Sequence, residues 1–167
     1  MTLNSRAFRD ALGHFATGVA VVSARTASGE TIGLTINSFA SVSLDPPLVL
    51  WSLDRGSDRF PLLMAVDGFG LGFLGQDGRD LSRRLSRKGQ FSLAPDEVSE
   101  GTSGIPVLRS AIASLECAVE QRIEAGDHVI FLGRVLTCTH AGHEDPLLYY
   151  RGAYRALAAP DQPQGPG

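Results

Sequence analysis

Residues 112–140 have the sequence IASLECAVEQRIEAGDHVIFLGRVLTCTH, and this stretch decides the fold. Residues 112–123 and 127–140 are two long runs rich in apolar and β-branched residues. Between them lies Glu124-Ala125-Gly126, a short segment of the kind that joins the two strands of a hairpin. The pattern therefore predicts two long antiparallel strands connected by a tight turn.

The rest of the chain also has mostly strand-like patterns. Apolar and β-branched runs predict further strands at residues 19–24, 31–37, 38–44, 48–53, 69–73 and 147–157. Helical spacing predicts short helices at residues 4–16, capped by Asn4 or Ser5, at 57–64 and at 77–88, with a surface loop at 89–104. Because strands do not alternate with helices, the sequence predicts a mainly β protein, an antiparallel barrel or sandwich with a few short flanking helices.

Length and composition favour one soluble domain. The 167 residues suit a single domain over residues 1–157, and the Pro-, Gln- and Gly-rich residues 158–167 are expected to be a disordered tail. The net charge of −3 argues against a nucleic-acid partner. Without an apolar run long enough to span a bilayer, we expect a cytoplasmic protein with no membrane contact. Cys117 and Cys138 lie in strand-like stretches and are expected to be buried free thiols.

Two motifs invite a functional interpretation that their context does not support. The sequence GLGFLG at residues 70–75 matches the glycine spacing of dinucleotide-binding loops, but its glycines lie inside a predicted strand. We expect a thin strand against which another segment packs closely. His140 and His143 lie in a glycine-containing segment that offers no fixed backbone for metal ligands, so we expect a solvated turn and no metal site.

Short uncharged polar side chains are concentrated in residues 33–47, GLTINSFASVSLDPP. On a strand Thr35 and Asn37 share one face, and the polar pattern continues into Ser38, Ser41 and Ser43. Two interpretations stay open at this point. The segment is an ordinary strand end, or it supplies directed hydrogen bonds to a planar heterocycle with carbonyl and imino edges.

Two further segments carry candidate binding groups. In residues 51–57, WSLDRGS, a strand ends and Ser57 is a candidate helix cap. With Arg55 or Arg59 nearby, the segment is either a phosphate-binding site or a capped helix with surface arginines. His128 follows a tight turn. It is either an ordinary turn histidine or a residue that orients a cofactor or a nicotinamide amide.

Four motifs occur in the same order as in a known family. FRDALGHFATGVAVV at residues 8–22, the 33–47 stretch, Gly126-Asp127-His128 and LYYRGAY at residues 148–154 resemble the short-chain flavin reductases, across residues 6–157. The family comprises reductase components of two-component flavin-dependent monooxygenases. The resemblance implies an antiparallel split β-barrel with Greek-key order that binds FMN or FAD, usually as a homodimer. It also implies hydride transfer from NADH or NADPH to the flavin, which then leaves for a partner monooxygenase.

The resemblance also implies roles for individual residues. His128 would be the catalytic-site residue that positions the nicotinamide, and Arg151 and Tyr154 would be further contacts to the pyridine nucleotide. Gly72 departs from the family, in which asparagine is common at this position. The implied flavin contacts are Thr35, Asn37, Ser38, Ser41, Trp51, Ser52, Leu53, Ser57, Lys88 and Phe91.

Two alternatives share the same fold. A pyridoxamine-phosphate-oxidase-like enzyme would hold FMN tightly and oxidise an amine, and a flavin- or haem-binding module would have no redox turnover. The sequence leaves FAD and FMN, and NADH and NADPH, as open pairs.

Overall fold

The computed structural model describes residues 4–140, 142 and 144–158, and these residues form a mainly antiparallel β structure. The helices are α1 (Ser5–Leu12), α2 (Phe60–Leu63) and α3 (Arg79–Leu85), with a 3₁₀ turn at Gln76–Gly78 before α3. The strands are β1 (Thr17–Gly18), β2 (Ala20–Arg25), β3 (Thr31–Ile36), β4 (Ala40–Leu44), β5 (Pro47–Asp54), β6 (Gly68–Leu74), β7 (Val98–Glu100), β8 (Pro106–Leu108), β9 (Ala111–Ala125), β10 (His128–His140), β11 (Leu148–Tyr150) and β12 (Ala153–Arg155).

Seven strands form one antiparallel sheet in the order β3-β2-β6-β9-β10-β5-β4. The hairpin of β9 and β10 confirms the prediction from residues 112–140, with His128 paired to Ala125 at the turn and His140 to Ala113 at the far end. Within the described residues the outer strands β3 and β4 do not pair with each other, so hydrogen bonds do not close this sheet into a barrel. Two small sheets, β1-β11-β12 and β7-β8, complete the fold.

An aromatic cluster at the centre of the core fixes β5 and β10 against each other. Trp51 stacks on Phe131 with ring centroids 4.4 Å apart, and Phe69 meets Trp51 edge-on at 5.7 Å. All three side chains are fully buried, and each aromatic pair adds about 0.5–1.5 kcal/mol beyond its area burial. Because side chains alternate along a strand, burial of Trp51 turns the neighbouring Ser52 to the opposite face of β5.

The glycines of residues 70–75 give a thin strand, as predicted. A Cβ at Gly70 would lie 2.4 Å from the carbonyl oxygen of Pro106 and 2.6 Å from Ser23 Oγ. Ser23 Oγ itself donates to the Pro106 carbonyl at 2.6 Å. Only glycine at position 70 therefore lets β8 lie directly over β6.

Several element boundaries differ from the prediction. Asn4 caps α1 by accepting from the N–H groups of Arg6 and Ala7, as expected, but the helix ends at Leu12 rather than at residue 16. The predicted helices 57–64 and 77–88 are shorter, and the predicted loop 89–104 contains the strand β7. The predicted strand 147–157 is two strands, because Arg151 and Gly152 adopt positive φ values of 49° and 76° and turn the chain back.

Both cysteines are free, and only one is placed as expected. Cys117 is buried, and this burial raises the pKa of its thiol to about 12. Cys138 is exposed, which corrects the prediction, because the distal half of β10 extends beyond the core. His143 and residues 159–167 of the predicted tail lie outside the described residues. No helix among the described residues is long and apolar enough to cross a membrane.

Candidate functional site

A cavity of about 360 Å³ lies where the ends of three strands meet. It is lined by the end of β3, the end of β5, the start of β10 and the segments that follow β3, β5 and α3. The pairing of His128 with Asp54 brings the start of β10 next to the end of β5. Seven of the predicted site residues line this cavity: Thr35, Asn37, Ser38, Ser52, Ser57, Lys88 and His128.

Two hydroxyl groups of the polar stretch are held by the backbone. Thr35 Oγ1 donates to the Ser82 carbonyl at 2.8 Å. Ser38 Oγ accepts from the Ser52 N–H at 3.0 Å and lies 3.3 Å from the Ser52 carbonyl, to which it donates. The Thr35 bond ties β3 to α3, and the Ser38 bonds tie the segment after β3 to β5. Together they leave a wall of uncharged polar side chains.

Asn37 is at the junction of four cavities. Besides the cavity of about 360 Å³, it lines one of about 770 Å³ with Arg9 and Arg151, and one of about 220 Å³ with Tyr154. It also lines a fourth cavity, of about 230 Å³. The Asn37 side chain is exposed, and among the described residues it makes no hydrogen bond. Its amide, with both donor and acceptor atoms, is therefore available to a ligand.

The turn between β5 and α2 lines the central cavity, but not through the start of a helix capped by Ser57. Arg59, not Ser57, is the cap residue of α2, and this helix has only four residues. Ser57 Oγ instead accepts from the Arg59 N–H at 3.2 Å, and Asp54 accepts from the Gly56 N–H at 2.7 Å. The Arg59 side chain is buried and bonded to protein atoms, so the helix start and this guanidinium offer little to an anion.

His128 lines the central cavity, and a hydrogen bond to the preceding residue orients its ring. Its Nδ1 lies 2.8 Å from Asp127 Oδ1, and this hydrogen bond holds the pKa of the Asp127 carboxyl below its ordinary value. Because a carboxylate only accepts, Nδ1 carries the proton in this bond. In the neutral ring Nε2 is then free to accept a hydrogen bond from a ligand amide.

Arg151 and Tyr154 line neighbouring cavities rather than the one around His128. Tyr154 Oη is 2.7 Å from Ser82 Oγ, and the Ser82 carbonyl accepts from Thr35, so Tyr154 is linked to the polar wall. Arg151 N–H donates to the Gly13 carbonyl at 3.0 Å and joins the loop between β11 and β12 to the end of α1. Asn37 lines the cavity of Arg151, the cavity of Tyr154 and the central cavity, so the three spaces adjoin one another at this residue.

Four predicted contacts lie elsewhere. Trp51 and Leu53 are fully buried in the core, so these positions can offer a ligand only backbone atoms. Ser41 is exposed on β4 and does not line the cavity. Phe91 packs against the core, and its carbonyl accepts from the Gly33 N–H at 2.7 Å.

Gly72 also lies away from the cavity. A Cβ there would meet Ala111 and Leu108 at 3.1–3.3 Å, so this position is covered by protein.

The structure adds cavity residues that the sequence patterns did not single out. Asp58 and Ser86 line the central cavity, and Arg9, His14 and Tyr149 line the larger neighbouring one. Asp54 also lines the central cavity. The sequence pattern places it at the end of a strand, but the pairing of that strand with β10 could not be deduced from the sequence.

Comparison with known proteins places the chain among the flavin reductases. Residues 12–158 match the family described as "Flavin reductase like domain", and the chain belongs to this family. It is 45% identical over 152 residues to the FMN reductase (NADH) SmoA of Agrobacterium fabrum, covering 90% of this chain and 85% of that protein. Some matched proteins are longer, and this chain spans about half of their length.

Solved structures of related reductases have the same fold. The styrene monooxygenase flavin reductase SMOB of Pseudomonas putida S12 superposes with a TM-score of 0.82 at 37% identity, covering 92% of this chain and 99% of that one. The NADH:FAD oxidoreductase SgcE6 of Streptomyces globisporus, in complex with NAD and FAD fragments, has a TM-score of 0.82 at 33% identity and covers 96% of this chain and 98% of that one.

Proposed function

We propose that this protein is an NAD(P)H-dependent flavin reductase that transfers hydride from NADH or NADPH to FAD or FMN. The observation that carries the proposal is the position of Asn37, whose unpaired amide lies beside the uncharged polar wall of the central cavity and beside one larger neighbouring cavity at once. A site for two substrates needs such adjoining compartments, and ligand pockets typically have volumes of about 300–1,000 Å³. Family membership supports the same activity.

The residues present fit a flavin. The wall of Thr35, Ser38 and Ser52 is uncharged and held rigid by backbone hydrogen bonds, which suits a ring with several carbonyl and imino atoms. Lys88 is a cation at the rim of the same cavity, where it can meet a phosphate. The scarcity of charge along the wall favours moderate affinity and therefore release of the product.

The protein's part in the reaction is to bind and orient. When bound together, the dihydronicotinamide and the flavin supply the hydride donor and acceptor, and no side chain has to act as an acid or base. Asn37 fixes the boundary between the two compartments. His128, held by Asp127, offers Nε2 to the nicotinamide amide and thus helps align the reacting carbon at a distance of about 3–3.5 Å.

Steady-state turnover tests the proposal. Purified protein is mixed with NADH or NADPH and, in turn, with FMN, FAD or riboflavin, and loss of dihydronicotinamide absorbance is followed. We expect oxidation that depends on added flavin. If the nucleotide is not consumed with any flavin, the proposal is wrong; FMN that stays bound through gel filtration without such turnover would favour the amine-oxidase alternative, and a bound chromophore alone would favour the binding module.

The reduced flavin is proposed to serve a partner monooxygenase. The name of the styrene monooxygenase flavin reductase supports this role for the present chain. A two-enzyme assay tests it: a flavin-dependent monooxygenase that lacks its own reductase should form product when this protein and NADH are added. Absence of product, despite flavin reduction by this protein, would contradict the role.

The proposed assembly is a homodimer of split β-barrels with Greek-key order. The continuous antiparallel order of the seven strands supports this barrel, and β4, at the sheet edge, exposes 47% of Val42 and 95% of Leu44. The change Leu44→Glu should give a monomer in analytical ultracentrifugation, and an unchanged mass would place the interface elsewhere. The proposed location is the cytoplasm, where Cys117 and Cys138 stay reduced.

A further inference from the structure

Arg59 is a buried arginine that binds the segment after α3. Only 3% of Arg59 is exposed. Its Nη2 donates to the carbonyl oxygens of Leu85 at 2.9 Å and Arg87 at 2.7 Å, and lies 3.3 Å from that of Gln90. One guanidinium therefore contacts three carbonyl oxygens within residues 85–90. These contacts stand in for the intrahelical hydrogen bonds that carbonyls lack where a helix ends.

Asp58 holds the same segment from the adjacent position. One carboxylate oxygen accepts from Arg59 Nη1 at 2.7 Å, and the other accepts from the Gly89 N–H at 2.5 Å. The Gly89 hydrogen bond, followed by the charge of Arg59, holds the pKa of the Asp58 carboxyl below its ordinary value. Asp58 and Arg59 thus form a clamp on residues 85–90, and we call this pair the Asp58–Arg59 clamp.

Lys88 lies inside the clamped segment and lines the central cavity. It is the only lysine of the chain. Three basic side chains line this cavity: Arg59 is committed to carbonyls and Asp58, His128 is bonded to Asp127, and Lys88 has no ion pair among the described residues. Nearby Arg55 is paired with Glu124. Lys88 is therefore the cation of this rim that is left for an anionic ligand.

We propose that Arg59 is a positioning residue that sets the backbone of residues 85–90 so that Lys88 reaches the phosphate of the flavin. Both Nη atoms of Arg59 are bonded to Asp58 and to the clamped carbonyls, so in this proposal Arg59 acts through Lys88. This inference rests on the proposed function. It assigns part of the preference for phosphorylated flavins over riboflavin to a residue pair whose charges are already paired with each other and with the protein backbone.

The geometry explains why arginine suits position 59. The guanidinium uses Nη1 for Asp58 and Nη2 for the carbonyls at the same time and in one rigid plane, whereas the single ammonium of a lysine would have to serve both sides from one nitrogen on a flexible stem. The flexible stem of Lys88 costs rotamer entropy when it is ordered on a phosphate, so a loosened backbone makes that contact weaker.

The test compares FMN with riboflavin, which differ only by the phosphate. Affinities of both ligands are measured by calorimetry for wild-type protein, Arg59→Lys, Lys88→Gln, the double variant, and Arg109→Lys, an exposed control outside the cavity. We expect wild-type protein to prefer FMN by about tenfold or more, and Lys88→Gln to lose most of this preference, since hydrogen bonds to charged groups are the strong class. Arg59→Lys should lower the FMN-to-riboflavin affinity ratio about three- to tenfold, whereas Arg109→Lys keeps it.

The double variant separates positioning from general damage. If Arg59 acts through Lys88, the double variant has the same affinity ratio as Lys88→Gln alone. Equal loss of both ligands in Arg59→Lys, with the ratio preserved, would reduce Arg59 to a purely structural role and overturn the inference. Fully additive losses in the double variant would overturn it as well.

Two further outcomes keep the hypotheses apart. Wild-type protein that binds both ligands equally, while still reducing them with NADH, overturns the positioning inference and leaves the proposed function intact. Wild-type protein that binds neither ligand overturns the positioning inference, and it overturns the proposed function as well if FAD is not reduced with NADH or NADPH either. If Arg59→Lys does not fold, Asp58→Ala opens the clamp at Gly89, and the same fall in the affinity ratio is expected; an unchanged ratio would contradict the inference.

Discussion

Replacement of Gly70 by alanine tests the close packing of β8 on β6. The new Cβ would lie 2.4 Å from the Pro106 carbonyl oxygen, which is backbone and cannot rotate away, and 2.6 Å from Ser23 Oγ. Overpacking of this kind costs about 1–3 kcal/mol, and loss of the buried bond from Ser23 to Pro106 adds about 1 kcal/mol. We expect Gly70→Ala to lower the free energy of unfolding by about 2–4 kcal/mol.

Two matched glycines serve as controls. At Gly72 the added Cβ would meet only side-chain atoms of Ala111 and Leu108, at 3.1–3.3 Å, so Gly72→Ala should cost about 1 kcal/mol or less. At Gly18 nothing lies within 4 Å, so Gly18→Ala should be neutral or stabilising by up to about 1 kcal/mol.

Urea unfolding monitored by fluorescence gives the three free energies under one condition. The reasoning is refuted if Gly70→Ala costs no more than Gly72→Ala, because the two positions differ in whether backbone or side chain opposes the new atom.

Three other changes test the site and its electrostatics. His128→Ala should lower kcat/KM for NADH about tenfold without abolishing turnover, because the ring positions the nicotinamide and transfers no proton; unchanged stopped-flow and steady-state values would contradict this role. Asn37→Ala should weaken the binding of both flavin and NADH, each by about three- to tenfold in titrations, because its amide lines both compartments. Weaker binding of one ligand alone would contradict the placement of Asn37 between the two compartments. The pKa of Asp58 is lowered in the folded state, so its bonds to Gly89 and Arg59 stabilise the protein above the ordinary carboxyl pKa and are lost as pH falls through the lowered value. Thermal unfolding from pH 6 down to pH 3 should therefore be less pH-dependent in Asp58→Asn than in wild-type protein; equal slopes would exclude Asp58 as a contributor.

The sequence predicted the strands whose periodicity is strong and missed those defined only by long-range pairing. The hairpin of β9 and β10 follows from two long apolar runs and one glycine turn. Strand β7 has three residues and exists because β8 pairs with it, and no local pattern marks either strand. The break between β11 and β12 depends on a positive φ at Arg151, a residue type that rarely signals such a turn.

The candidate site was predictable where short polar side chains interrupt an apolar pattern. Thr35, Asn37 and Ser38 stood out for this reason, and the structure places all three around one cavity. The role of Arg59 was not predictable, because an arginine beside a turn carries no sign of whether it faces solvent or is buried. Its partners are backbone carbonyls far along the chain, which carry no residue-type signal.

The chain contains one tryptophan, and its location makes it an internal optical probe. Trp51 is sealed from water and stacked on Phe131, while the next residue, Ser52, lines the cavity. Its emission should therefore be blue-shifted in the native protein and should fade by resonance energy transfer when a yellow chromophore enters next to it. The same indole thus reports unfolding through a red shift and occupancy through dimming, with no label attached.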